Sequence, residues 1–190
     1  MTKQYYQKLA QRESSNNPKA VNHFGFIGLY QMGEPALIDT GYYNADGIKK
    51  NDWVGEWTGK NEINNREDFL SRPGAQGKAI KEYHSLIWNR YLKDYKKYEG
   101  GEINEIVLTK AAMVSCAHLA GHLRLKEFID SNGRIDKKDG NEVPCSKYMK
   151  EFGDYDLDFN EDKKENQQSE KEEEKSRADT NLINNLFEYF

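Results

Sequence analysis

The chain has few of the features that mark specialised small proteins. Its 190 residues include only two cysteines, Cys116 and Cys145, too few for a disulfide scaffold and enough for one bridge at most. Two reduced thiols fit the sequence equally well. No apolar run approaches the roughly 20 residues needed to cross a bilayer, so no integral membrane segment is expected. No hydrophobic segment follows the lysine of Met1-Thr2-Lys3-Gln4-Tyr5-Tyr6, so no secretory signal peptide is expected either. Net positive charge is also missing: 28 basic against 32 acidic side chains leave −4. Phosphate binding calls for a basic face, which argues against nucleic acid as a partner.

What is present is aromatic and charged. The 12 Tyr, 8 Phe and 3 Trp are more than a disordered chain carries. A mean hydropathy of −0.99 means that much of the remaining sequence must face water. The charge is unevenly spread. Residues 161–190 hold nine acidic and five basic side chains, which leaves residues 1–160 neutral and makes the acidity a property of the tail. The length suits one domain. Three segments are expected: a domain over 1–158, a charged linker over 159–178 and an amphipathic helix over 179–190. That last helix pairs Leu182 with Leu186, and Ile183 with Phe187 and Phe190.

Apolar spacing makes the body mainly α-helical. Tyr5, Tyr6, Leu9 and Ala10 mark an opening helix that stops at Glu13-Ser14-Ser15-Asn16-Asn17-Pro18, where Asn and Pro break it. From Asn22 to Gly33 a glycine-punctuated loop or short hairpin is expected. A short helix then starts at Glu34-Pro35 and ends before Gly41. The span 42–68 reads as irregular, with Trp53 and Trp57 as anchors. Ala79, Ile80, Tyr83, Ile87, Tyr91 and Tyr95 predict one long helix from about Pro73 to Tyr98. Further helices are expected over Glu105–Gly121, around Leu123–Ile129 and over Lys147–Phe152, with a polar loop over 133–144. No alternating strand is evident.

Three separated segments carry the candidate chemistry: Glu13-Ser14, then Gly25-Phe26-Ile27-Gly28-Leu29-Tyr30-Gln31-Met32, then Ala111-Ala112-Met113-Val114-Ser115-Cys116-Ala117-His118-Leu119-Ala120-Gly121. In that order they resemble the lytic transglycosylase and goose-type lysozyme group of the lysozyme-like superfamily. The second segment is similar to its glycine–x–x–glycine–leucine–(Met/Tyr)–Gln signature. Asp68-Phe69-Leu70, Gln76-Gly77-Lys78-Ala79 and Asp139-Gly140-Asn141 resemble phage-type and effector-type members. The resemblance spans roughly residues 5–155.

That resemblance implies a lysozyme-like fold that cleaves the β-1,4 bond between N-acetylmuramic acid and N-acetylglucosamine in peptidoglycan glycan strands. It implies Glu13 as the catalytic acid, with Ser14, Gly28, Tyr30, Gln31, Met32 and His118 as substrate-binding positions, and it implies no cofactor. It also places the protein among phage lysins or secreted antibacterial effectors, acting in the periplasm or on the wall after delivery. An effector would have a cognate immunity protein as partner. A non-catalytic wall-binding or assembly module, and a chitinase-like glycosidase on the same fold, are the alternatives.

The residues make physical sense of that role. Glycosidic cleavage needs a carboxylic acid still protonated near neutral pH. A glutamate at a helix C-terminus faces the negative end of the dipole, and burial near Phe24 and Tyr30 would disfavour its anion further. The raised glutamate of lysozyme, a standard example, follows the same pattern. No second carboxylate lies between Glu13 and Glu34. Gly33 stands where goose-type lysozymes carry Asp, and Glu34 beside Pro35 reads as an exposed first helical turn. This local absence favours attack by the substrate's own 6-hydroxyl, the transglycosylase route, over hydrolysis.

His118 stands where the family has Asn; it can support Glu13 or the sugar, or be an ordinary satisfied helix histidine. No metal site is expected. His118 and His122 are four apart, but Gly121 should end the helix between them and the metalloprotease glutamate is missing. The 130–142 stretch has Arg134 and Ile135 where a calcium loop needs a ligand and a glycine.

Overall fold

The computed structural model describes residues 2–48 and 50–159. The expected linker (but for residue 159) and the terminal helix lie outside the described residues. The opening helix, α1 (Thr2–Ser14), buries Tyr5, Tyr6, Leu9 and Ala10 as its spacing predicts. It ends because Ser15 and Asn16 turn left-handed, at φ 54° and 62°. Asn16 N–H then reaches back to the Ala10 carbonyl at 3.1 Å, closing the last turn.

The glycine-rich segment folds as a small meander in which Ile27 bridges antiparallel to both Val21 and Met32. After it come α2 (Glu34–Asp39), α3 (Arg66–Ser71) and α4 (Pro73–Leu86). Between α2 and α3 a two-residue hairpin pairs β1 (Tyr43–Asn44) with β2 (Glu56–Trp57). The single long helix expected over 73–98 is instead three pieces. α4 gives way to a wider π turn over Ile87–Tyr91 and a tighter 3₁₀ stretch over Lys93–Tyr98. The polar members of its buried face, Gln76 and His84, were not foreseen.

The helix expected from Glu105 begins later, as α5 (Lys110–Ala120), capped by Thr109 whose hydroxyl accepts from Ala112 N–H. Ahead of it, β3 (Glu102–Ile103) and β4 (Ile106–Val107) form a second hairpin, too short to show alternation in sequence. α5 is the centre of the core: every residue from Ala111 to Ala117 is buried. Its small side chains let α6 (His122–Asp130) and α7 (Cys145–Phe152) pack close on either side of it. Phe152 of α7 meets the Tyr5 ring edge-on at 5.4 Å, which closes α7 onto α1. The described residues are mainly helical, and no described helix is long and apolar enough to cross a membrane.

Cys116 and Cys145, left open by the sequence, are bridged and tie α5 to α7 across 29 positions. Opening a loop of that size is expected to cost about 3–4 kcal/mol. Urea unfolding with and without reductant checks this: the midpoint should drop on reduction, and an unchanged midpoint would show the bridge to be energetically idle.

Candidate active site

The end of α1, the glycine loop, the 50–52 segment, the end of α5 and the 139–141 loop surround an open groove of about 690 Å³. Glu13 is half-buried in its wall. Tyr148, on α7, donates its hydroxyl to Glu13 Oε1 at 2.5 Å. Arg12 lies over the Tyr148 ring at 5.2 Å and bonds Glu151 at 3.2 Å, so the phenol is held from both sides. Burial pushes the Glu13 carboxyl above the usual carboxylate range. The charges of Asp139 and Glu151 add to that rise, while the Tyr148 hydrogen bond and Arg12 oppose it.

The glycine loop is fixed by buried amides. Gln76, 1% exposed on α4, accepts from Leu29 N–H at 2.7 Å and donates to the carbonyls of Pro18 and Phe69. A Cβ on Gly28, whose φ is +78°, would sit 2.7 Å from the Gln76 oxygen, so only glycine fits there. On the other side Trp53 Nε1 donates to the Gly25 carbonyl at 2.8 Å and Asn51 donates to that of Phe24 at 3.1 Å. Trp53 is therefore an anchor of the loop, stacked on Trp57. Phe24 stays 42% exposed at the groove's edge, its ring against Gly140.

Of the residues expected at the site, Glu13, Gln31 and His118 line the groove together. Ser14, Gly28, Tyr30 and Met32 do not line it. Ser14 donates to the Leu29 carbonyl at 2.9 Å, tying the helix end to the loop. Gly28 gives close passage to Gln76, while Tyr30 and Met32 are buried in the core, Tyr30 edge-on to Tyr6. His118 is neutral, its pKa held down to about 4 by burial.

Several groove residues were not foreseen. Asp139 lines it, its Oδ1 accepting from the N–H groups of Asn141 and Val143 at 2.9 and 2.8 Å. Asp52, Lys50, Asn22, His23 and Asn141 also face it. Only Asp139-Gly140-Asn141 had a sequence signal, with no role attached. Two carboxylates from distant segments, Asp52 and Asp139, thus line the groove together with Glu13.

Glu34 corrects another expectation: it is 2% exposed. Its carboxylate accepts from Trp53 N–H, and Asn51 accepts from its own N–H at 2.9 Å. Burial raises its pKa, with the charges of Asp52 and Asp46 adding to the rise. One oxygen each of Glu34, Asp46 and Asp52 lies within 4.8 Å of the others, an oxygen set of the kind that suits a hard cation. His122 opens α6 beyond the break at Gly121 and stacks on Tyr91 at 4.3 Å, away from His118's helix.

No family model, curated protein or solved structure matches the chain.

Because Glu13 titrates higher when folded than unfolded, the native state holds that proton more tightly. This contribution to stability is complete below the unfolded carboxylate value and is lost as pH rises through the folded one. Glu13→Gln removes the buried anion and keeps an acceptor for Tyr148. Its urea midpoint should exceed wild type at pH 7, the gain shrinking as pH falls into the ordinary carboxylate range. A gain that is absent at pH 7 would contradict the burial cost.

Proposed function

We propose that this chain is a lysozyme-like glycosidase that cuts the β-1,4 bond between N-acetylmuramic acid and N-acetylglucosamine in peptidoglycan. The observation that carries the proposal is one carboxyl, Glu13, half-buried in a groove wall and shifted towards its protonated form. The ordered motifs converge on that groove through Glu13, Gln31, His118 and the 139–141 loop. The mainly helical architecture with a small glycine-rich meander is in keeping with a lysozyme-like fold. The Cys116–Cys145 bridge suits work outside the reducing cytosol.

In the proposed reaction Glu13 gives its proton to the bridging oxygen as the bond from that oxygen to the anomeric carbon breaks. The departing sugar takes the bonding pair and leaves as an alcohol. Positive charge builds on the anomeric carbon and ring oxygen. Asp139 holds a carboxylate in the same groove, with its field reaching Glu13, and stabilises that charge. A water molecule then bonds to the anomeric carbon and returns a proton to Glu13, leaving a reducing end. Asp139 in the groove favours this hydrolytic outcome over the transglycosylase route expected from the local sequence.

Glu13→Gln should lower the clearing of purified peptidoglycan by at least about a thousandfold. Asp139→Asn keeps the Oδ1 acceptor of its loop and should lower clearing by roughly a hundredfold. Mass spectrometry of the released fragments should find reducing rather than 1,6-anhydro ends. Equal clearing by wild type and Glu13→Gln, or none by either, would point to a binding module. Release from chitin oligomers but not from peptidoglycan would point to a chitinase.

A further inference from the structure

Two exposed phenylalanines line the groove: Phe24 is 42% and Phe26 36% exposed. A single apolar side chain in water is ordinary, whereas two large rings within one polar groove call for a reason. Their backbone is fixed, because all six N–H and C=O groups of residues 24–26 are hydrogen-bonded. Asn22 Oδ1 accepts from the N–H groups of Phe24 and Phe26 at 2.9 and 3.1 Å. The Asn22 backbone accepts from Gly25 N–H and donates to the Phe26 carbonyl, both at 3.0 Å. Asn51 and Trp53 take the two carbonyls that remain, those of Phe24 and Gly25. A ligand that covers these rings therefore has no backbone to put in order.

The two rings are placed differently. Phe26 folds back on its own loop: a Cβ on Gly33 would lie 2.9 Å from its Cε1. Phe24 instead points its tip at Gly140, where a Cβ would lie 3.1 Å from Cζ. It thus sits beside the loop that carries Asp139 into the groove of Glu13. The His23 ring lies next to it, with centroids 3.8 Å apart.

This combination suits one class of ligand. In a β-1,4-linked N-acetylglucosamine unit every ring substituent is equatorial, so both faces of the ring show only C–H bonds. Hydroxyl and acetamido groups project around the edge. The C–H hydrogens, made slightly positive by neighbouring oxygens, are attracted to the negative face of an aromatic ring. Lys50, Asp52 and Asn141 line the same groove and offer partners of both kinds to the polar edge. We propose that Phe24 is the sugar-stacking residue of the groove, on which one N-acetylated pyranose of the glycan strand lays a C–H face. The choice of peptidoglycan as the strand rests on the glycosidase proposal; the stacking itself needs no cleavage.

Calorimetric titration with a peptide-free tetrasaccharide of alternating N-acetylglucosamine and N-acetylmuramic acid tests it. The parent is the full chain carrying Glu13→Gln, so that the probe stays whole. Phe24→Leu keeps an apolar side chain without a ring and should weaken binding roughly tenfold, whereas Phe24→Tyr should bind within about twofold of the parent. Binding by Phe24→Leu equal to the parent's, or no binding by the parent, would overturn the inference. Should Phe24→Leu not fold, the parent complex still decides: nuclear Overhauser contacts should join the axial sugar protons to the Phe24 ring, and their absence would overturn it. Should wild type fail to clear peptidoglycan while the tetrasaccharide binds through Phe24, the glycosidase reading fails and the stacking stands. Should wild type and Phe24→Leu clear it equally well at low substrate, the stacking fails and the glycosidase reading stands.

Discussion

A carboxyl group held partly out of water is the constraint around which this molecule is arranged. Burial shifts the Glu13 carboxyl towards its protonated form and costs the fold stability at neutral pH. Its neighbours limit that loss without cancelling it. Tyr148 gives one hydrogen bond, and Arg12 supplies a nearby positive charge while stacking on the phenol. Glu151 in turn pairs with Arg12 and Lys8, fastening α7 to α1. The Cys116–Cys145 bridge holds the first turn of α7 against the central helix. Helix α1 ends just past Glu13, where two left-handed residues, Ser15 and Asn16, turn the chain away.

The opposite wall depends on hydrogen bonds from side chains that lie outside the glycine loop. Gln76 satisfies one N–H and two carbonyls from three different segments and so sets where the glycine loop lies. Asn51 and Trp53 do the same from the other side. A buried amide with all its bonds made specifies a single arrangement, because any displacement leaves several polar groups without partners. The loop therefore presents Gln31 on a backbone that is irregular and yet tightly determined.

The features legible in the sequence were those written locally. The stop after Glu13, the glycine punctuation of 25–33, the break at Gly121 and the apolar spacing of α1 all follow from short-range preferences. What could not be read was set by residues far apart in the chain. Tyr148 reaches Glu13 across 135 positions, and Asp139 joins the groove from a loop that looked merely solvated. Glu34 seemed an exposed first-turn acid beside Pro35, since nothing local shows that Trp53 and Asn51 fold over it. His84 and Gln76 occupy the buried face of α4, where a periodicity read from apolar residues passes over polar ones. The two hairpins are two residues per strand, below the length at which alternation exists.

The protonation state of Glu13 is the centre of the whole scheme, and it can be observed without any substrate. A ¹³C NMR titration of the glutamate side-chain carboxyl carbons, assigned with Glu13→Gln, follows it residue by residue. Glu13 should titrate above the ordinary range of a free glutamate and should still be partly protonated where a free glutamate is fully ionised. A Glu13 carbon that titrates within that ordinary range, or below it, would contradict its proposed role as the acid.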